Sequence, residues 1–423
     1  MAGNGMSVSL GIITLSIMAH YLGPAALGVL AMIEAYGTLW DQLLRLETWQ
    51  SIVKYGATLL EQKEEERFVA LIKLSTVIDL ACVLLTGTVA LLAIPLAARI
   101  MAWDQQTVDM AQVYTIAVFF AVSSTPMGVL RLFNRFAQFA WLDPAIAVVR
   151  LGGALLIVAT QGSIWDFLML TIGLQILQRV SLTCMAWRIL KREGFGRFWQ
   201  APLWGVNARF PGYWGFTIAA NASVLLRKAT QQLDILVVGS FAGPAAAGIY
   251  QIVRKLTTAI NTAGGMLQQV AFPDLARLWA GRQFELFYRI VRNVELATLA
   301  FGAAAFLAIV ALGHMIIAVM AGPAFAEAYL PLLVQSLASM LFLAGSTLRP
   351  ALMSMNCHLQ MLRVMAAATV LFCIVLFVSV PTLGVVGAAC AHSAFAATVF
   401  VAAAVLFRRR LRAEGFGRRT HPD

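Results

Sequence analysis

Charged side chains interrupt an apolar stretch of the chain, LLRKATQQLDILVVG, at positions 225–239. They are Arg227, Lys228 and Asp234, and Arg227, Gln231 and Asp234 share one face at helical spacing. Arginine and lysine hold anions such as phosphate through charge-assisted hydrogen bonds, and a carboxylate can hold a coupling cation or proton. These residues therefore predict a binding site for an anionic ligand, with Asp234 as a candidate for ion coupling.

A second polar stripe follows on the next apolar segment. It contains Arg254, Lys255, Thr258 and Asn261. Placing one arginine or lysine at the centre of a bilayer costs about 2.5–3.5 kcal/mol. We therefore expect this stripe to face a wet cavity, an opposite charge or a ligand. The alternative for Arg227 and Lys228 is that they lie in the cytoplasmic interface and extend their charges into water.

An acidic stripe near the start of the chain matches the basic stripe position by position in the sequence. Glu34 and Asp41 lie at helical spacing, and a shift of 220 residues places Glu34 on Arg254 and Asp41 on Asn261. We predict that Glu34 and Asp41, like Asp234, are candidates for ion coupling. In this hypothesis they neutralise the basic stripe when the cavity is empty.

Composition shows what kind of chain holds these stripes. Of its 423 residues, 60% are hydrophobic and 12% are charged, whereas a soluble protein has about 25% charged residues. Stretches of about 20 apolar residues recur along the chain and predict an all-α polytopic membrane protein. The predicted spans lie near residues 5–20, 24–48, 70–98, 107–130, 142–160, 166–187, 212–240, 245–271, 288–320, 327–348, 363–381 and 384–407.

The net charge of +11 is concentrated in connections on one side of these spans. The other side has short connections whose only basic residue is Arg99. By the positive-inside rule, both termini are cytoplasmic, and the basic excess indicates topology rather than a nucleic-acid partner. The five cysteines have no paired spacing typical of metal ligands, and no constellation of catalytic residues is present.

The chain also contains an internal repeat. YLGPAALGVLAM (21–32) matches FAGPAAAGIYQI (241–252) at a shift of 220, and a weaker echo links 123–138 with 345–360 at 222. An even number of spans separates the copies, which predicts a parallel repeat of the kind found in transporters. We expect a six-helix lobe at 1–187, a cytoplasmic linker at 188–211, a second lobe at 212–409 and a basic cytoplasmic tail at 410–423.

The turn YLGPAALGVLAM, the run QQLDILVVGSFAGPAAAGIYQIVRKL and the helix end FPDLARL resemble a known transporter family. It is the polysaccharide branch of the multidrug/oligosaccharidyl-lipid/polysaccharide exporter superfamily. The resemblance implies a V-shaped transporter with a basic central cavity, which flips polyprenyl-diphosphate-linked oligosaccharides to the periplasmic leaflet. Asp234 and Lys255 fall on recurring polar positions of its motif.

The resemblance also implies a bacterial inner-membrane location and a role in O-antigen or exopolysaccharide synthesis. Expected partners are the lipid-linked oligosaccharide, membrane lipids, and a polysaccharide polymerase or assembly proteins. No cofactor is expected beyond a coupling ion, H⁺ or Na⁺. The alternative is a drug or small-solute/cation antiporter of the same superfamily. It is disfavoured because His20 is the only ionisable residue of the first span, where that branch commonly has a carboxylate.

Overall fold

The computed structural model describes residues 2–135, 141–202, 210, 212–218, 221 and 230–413. Regular structure in this part of the chain is helical. The helices are α1 (Ala2–Leu44), α2 (Trp49–Glu61), α3 (Glu65–Met101), α4 (Gln105–Phe119), α5 (Ser124–Leu132), α6 (Leu142–Ala159), α7 (Ile164–Arg192), α8 (Thr230–Ala280), α9 (Phe284–Ala321), α10 (Tyr329–Ala344), α11 (Leu348–Ser354), α12 (His358–Leu383) and α13 (Val385–Ala413), with 3₁₀ turns at Phe198–Gln200 and Pro323–Ala328.

Ten helical segments of the described chain are long and apolar enough to cross a bilayer. Two of them, Gly5–Leu44 and Gln232–Gly265, bend at Gly23 and Gly243, where φ is 73° and 85°. Glycine adopts positive φ without steric penalty, and the proline that follows each glycine starts a new helical arm. Each bend lies where the sequence predicts a turn between two spans, at 20–24 and at 240–245.

Apolar side chains cover the outside of the spanning helices. Leu92 is 74% exposed, Val378 69% and Val319 68%. A soluble protein rarely exposes an apolar surface of this extent, whereas hydrocarbon requires it. The fold is therefore that of an all-α polytopic membrane protein.

The chain forms two compact units. The first consists of residues 2–17 and 32–233, and the second of residues 18–31 with the described residues from 234 onward. Each unit has its own apolar core. In the first, Ile52 of α2 and Phe68 of α3 are fully buried, and in the second, Phe287 of α9 packs with Phe407 of α13.

Two predicted spans are interrupted in the structure. The span predicted at 107–130 divides into α4 and α5, and the one predicted at 327–348 ends at Ala344 and is followed by the short α11. The first break, at 120–123, ends where the weaker sequence echo begins, and the second, at 345–347, lies at the start of the other copy of the echo. The echo therefore marks a repeated helix break.

Asp79 of α3 provides the physical reason for the first break. Its carboxylate accepts the backbone N–H of Thr125 at 2.6 Å and the hydroxyl of Thr48 at 2.9 Å. The first N–H groups of a helix have no partner within that helix, and a carboxylate there also complements the helix dipole. Asp79, which the sequence leaves as an isolated charge, therefore fixes the start of α5.

The stretch 50–67, which lies between the spans predicted at 24–48 and 70–98, is largely helical. In α2 the side chains of Ile52 and Leu59 are buried against the first-unit core. The helix was missed because it is too short and too polar to span a membrane. Its apolar residues form one stripe along an amphipathic helix.

The two Gly-Pro bends meet within the second unit. A Cβ placed on Gly28 would lie 1.7 Å from the carbonyl oxygen of Pro244, and one on Gly248 would lie 2.0 Å from that of Pro24. The reciprocal contact has the symmetry of the sequence repeat. Two backbones can approach this closely only because both residues lack a side chain.

We predict that Gly28→Ala and Gly248→Ala each lower the melting temperature of the detergent-purified protein. The added methyl group forces the backbones apart, and such overpacking costs about 1–3 kcal/mol or more. Gly265→Ala is the matched control, since nothing lies within 4 Å of the Cβ that it would add to the same helix as Gly248. Equal melting temperatures for Gly28→Ala and Gly265→Ala would show that the close contact is absent.

Candidate functional site

Asp234 is the most buried acidic side chain of the described residues, with 1% of its surface exposed. It lies on the arm of α8 that precedes Gly243. Tyr250 and Arg254 approach it from the following arm, and His392 approaches it from α13. We call these four residues the Asp234 cluster.

Each oxygen of the Asp234 carboxylate accepts hydrogen bonds. Oδ2 accepts from the Tyr250 hydroxyl at 2.8 Å and lies 2.9 Å from Nε2 of His392. Oδ1 accepts from Nη1 of Arg254 at 3.2 Å and from the backbone N–H of Ile235 at 2.8 Å. The carboxylate therefore has a cationic partner in Arg254, and the Tyr250 hydroxyl, the His392 ring and a backbone N–H surround its remaining positions.

These hydrogen bonds and the ion pair offset the cost of removing the Asp234 carboxylate from water. Burying an ion costs several kcal/mol unless an opposite charge and further hydrogen bonds compensate it. The side chains of Arg254 and His392 remain 23% and 22% exposed. Each therefore contacts the buried carboxylate at one end and is partly accessible at the other. Phe372 packs edge-on against the His392 ring, with centroids 4.9 Å apart.

The other residues of the predicted basic stripe have different surroundings. Lys255 and Asn261 are half-buried, and Thr258 is exposed. The Asn261 Oδ1 atom is buried and accepts no hydrogen bond in the described part of the chain. Arg227 lies outside the described residues, as does the side chain of Gln231.

The acidic stripe on α1 contains one ion pair. Both carboxylate oxygens of Asp41 bind the guanidinium of Arg45, one turn further on, which also donates to the carbonyl of Ala121 at 3.5 Å. Glu34 is half-buried, and no hydrogen bond or ion pair joins it to a described residue. The structure thus places both Asp41 and Asp234 beside an arginine of its own unit.

Asp41 also lines a cavity of about 210 Å³ in the first unit, which we call the first-unit cavity. Helices α1, α4, α6 and α7 form its walls. Its lining residues are Gly37, Thr38, Asp41, Tyr114, Ala117, Val118, Ala121, Arg150, Gln175, Gln178 and Arg179.

Two half-buried arginines face this cavity, Arg150 from α6 and Arg179 from α7. Within the described residues, neither guanidinium makes a hydrogen bond or an ion pair within 4.0 Å. At mid-bilayer each would cost about 2.5–3.5 kcal/mol if it faced lipid. A wet cavity reduces that penalty and leaves the donors of both guanidinium groups accessible.

Sequence reasoning missed several of these residues. His392 lies 158 residues from Asp234, and no local spacing in the sequence links the two residues. In the described residues, no group of three or more histidine, cysteine or acidic side chains is placed to hold a metal. Arg150 forms no stripe with other polar residues of its own helix, and Arg179, which lines the same cavity, is on another helix. The sequence signal for Arg179 was the presence of polar residues on α7, inside an otherwise apolar span.

Comparison with known proteins places these features in a family context. A family model described as polysaccharide biosynthesis protein matches residues 17–330. The inner membrane protein YghQ of Escherichia coli (strain K12) is 27% identical over 282 residues, which are 66% of this chain and 78% of that protein.

Two solved structures share the fold at 14% sequence identity. A structure of lipid II flippase MurJ in an inward closed conformation has a TM-score of 0.77, with 96% of this chain and 87% of that chain covered. An inward-facing multidrug resistance MATE family transporter of the MOP superfamily has a TM-score of 0.69, with 99% and 95% covered. At this identity the likeness shows the fold alone.

The Asp234 cluster makes a prediction about stability. Arg254→Ala leaves the buried carboxylate without its cationic partner, which costs about 3–5 kcal/mol for a buried pair. We expect a clear fall in the melting temperature of the purified protein, and partial recovery when Asp234→Asn is added. Arg277→Ala, which removes an exposed arginine from the same helix, is the control. A melting temperature for Arg254→Ala equal to that of the control would contradict the ion pair.

Proposed function

The chain belongs to the polysaccharide biosynthesis protein family, and we propose that it flips polyprenyl-diphosphate-linked oligosaccharides from the cytoplasmic to the periplasmic leaflet of the bacterial inner membrane. It is a multi-pass membrane protein with the fold of known transporters, and we propose transport rather than catalysis as its activity. The oligosaccharide would serve O-antigen or exopolysaccharide synthesis.

The observation that carries this proposal is an imbalance between buried acids and accessible cations. Asp79 and Asp234 are the acidic side chains that the described residues bury most deeply. Asp79 is bound by Thr48 and Thr125, and Asp234 by Arg254, His392 and Tyr250. A transporter of cationic drugs needs an accessible carboxylate for its cargo. These two are already occupied, which leaves the half-buried Glu34 as the acid of the predicted stripes without an ion pair among the described residues.

The cations provide the opposite chemistry. Arg150 and Arg179 face a cavity without a carboxylate partner among the described residues. Guanidinium and ammonium groups suit the oxygens of a diphosphate. We also propose, from the sequence stripes, that Arg227, Gln231, Arg254, Lys255, Thr258 and Asn261 contact the diphosphate or sugar of the cargo.

Ion coupling is proposed at the acidic residues Glu34, Asp41 and Asp234, with H⁺ or Na⁺ as the ion. The Asp234 cluster favours H⁺. Sodium prefers several oxygen ligands, whereas the Asp234 oxygens already accept N–H and O–H donors. His392 adds an imidazole nitrogen, a group that can carry a proton, 2.9 Å from the carboxylate.

We predict that deletion of the gene leaves lipid-linked oligosaccharides in the cytoplasmic leaflet and abolishes the surface polysaccharide. The reason is that a sugar attached to a polyprenyl diphosphate cannot cross the hydrocarbon region unaided. The measurement is mass spectrometry of extracted lipids together with staining of the surface polysaccharide. Complementation with the wild-type gene is the control for effects on neighbouring genes.

A different phenotype would favour the antiporter. Unchanged surface polysaccharide with increased sensitivity to cationic dyes would reject the lipid-linked cargo. Lys255→Gln refines the test, since the neutral side chain should reduce export while Arg277→Gln on the same helix should not. Membrane expression of both variants must equal that of the wild type.

Topology gives a second prediction. We propose that the connection after α7 and both termini are cytoplasmic, because basic residues concentrate there. In a cysteine-free background, a membrane-impermeant maleimide added to whole cells with a permeabilised outer membrane should not label Arg197→Cys. Gln106→Cys, at the other end of the spans, should be labelled. The reverse pattern would invert the proposed orientation.

A further inference from the structure

The first-unit cavity contains more cationic than anionic groups that remain accessible to a ligand. Its one acidic lining residue, Asp41, has both carboxylate oxygens bound by Arg45. Its two arginines, Arg150 and Arg179, make no hydrogen bond or ion pair with a described residue. The cavity wall therefore presents two guanidinium groups whose hydrogen-bond donors have no partner among the described residues.

The neighbouring amides are fixed in place and do not neutralise these arginines. Gln175 donates its Nε2 hydrogen to the Tyr114 hydroxyl at 2.6 Å, and Gln178 donates to Oδ1 of Asp143 at 2.7 Å. Asp143 does not line the cavity. These bonds orient the two amides on the wall of α7 that also holds Arg179.

We propose that Arg150 and Arg179 form a binding site for a phosphate or diphosphate group in the first-unit cavity. A guanidinium group presents paired N–H donors in a planar fork, which matches two oxygens of one phosphate. Two such forks on the separate helices α6 and α7 can bind a diphosphate from two sides. A cavity of about 210 Å³ has room for the anionic group.

This inference deepens the proposed function, on which it rests for the source of the anion. The same chemistry serves a diphosphate linked to a lipid and a free diphosphate. The site also differs from the basic stripe that the sequence indicates, since that stripe lies on α8 and in the residues before it. Its lining residues all lie within the first unit.

The test is direct binding to full-length protein in detergent, with inorganic pyrophosphate and farnesyl diphosphate as probes. We expect Arg150→Gln and Arg179→Gln each to weaken binding of both probes about ten- to hundredfold, the range for one lost charged hydrogen-bonding group. Arg188→Gln removes an exposed arginine from the same helix as Arg179 and should leave binding unchanged. Arg179→Lys keeps the charge but loses the fork, and should weaken binding by less than Arg179→Gln.

The two probes separate the sources of the anion. Similar affinity for both shows that the free diphosphate group is sufficient. Binding of farnesyl diphosphate at least tenfold tighter than pyrophosphate identifies a lipid-linked ligand. Either result supports the site, provided that the arginine variants weaken it. The proposed site is overturned if the wild type and the double variant Arg150→Gln/Arg179→Gln bind equally well. It is also overturned if the wild type binds neither probe.

A measurement on the wild-type protein guards against variants that fail to fold. Phenylglyoxal modifies accessible arginines, and peptide mass spectrometry locates the products. Pyrophosphate should protect Arg150 and Arg179 but not Arg188, and equal modification of all three with and without pyrophosphate would reject the site. Since these assays involve no transport, they are independent of the cargo. If gene deletion stops export while the double variant exports normally, the result supports the proposed function and rejects this site.

Discussion

The cost of an unpaired charge in hydrocarbon governs where this chain can place its polar residues. An isolated ion there is penalised by several kcal/mol, so a charged side chain needs a partner or water. The protein meets this requirement in three ways. Asp234 has an arginine and a histidine from other turns of the fold, Asp41 has an arginine one turn away, and Asp79 has the N–H and hydroxyl groups around a helix start. For Asp79, this pairing also fixes where helix α5 begins.

These solutions are local to each unit. Asp41 and Asp79 find their partners in the first unit, and Asp234 finds its partners in the second. The neutralisation of each acid is therefore independent of the position of the other unit. A transporter that alternates between conformations benefits from this property, because movement between units would not separate an acid from its partner.

Much of the fold follows from the sequence. Apolar length predicts the spans, and the Gly-Pro pairs predict two turns, because only glycine there accepts positive φ. The break before α5 is harder to see, since its cause is Asp79 on another helix. The partners of Asp234 show the same limit. Helical spacing relates residues on one helix, whereas His392 reaches Asp234 through packing between distant helices. Side-chain pairing across helices depends on that packing, which a single sequence does not contain.

The internal repeat duplicates the helices but not the charges. At the 220-residue register, Asp234 corresponds to Thr14 and Arg254 to Glu34. Thr14 is buried and donates its hydroxyl to the carbonyl of Leu10 at 2.9 Å, which is the ordinary behaviour of a threonine in a helix. The ion pair of the second copy thus has no counterpart in the first. There, instead, arginines of α6 and α7 face a cavity, and Glu34 has no ion pair among the described residues. The two copies repeat the same helices but carry different charged residues, so the two units have different chemistry. A site for the anion and a site for the coupling ion can therefore lie in different units.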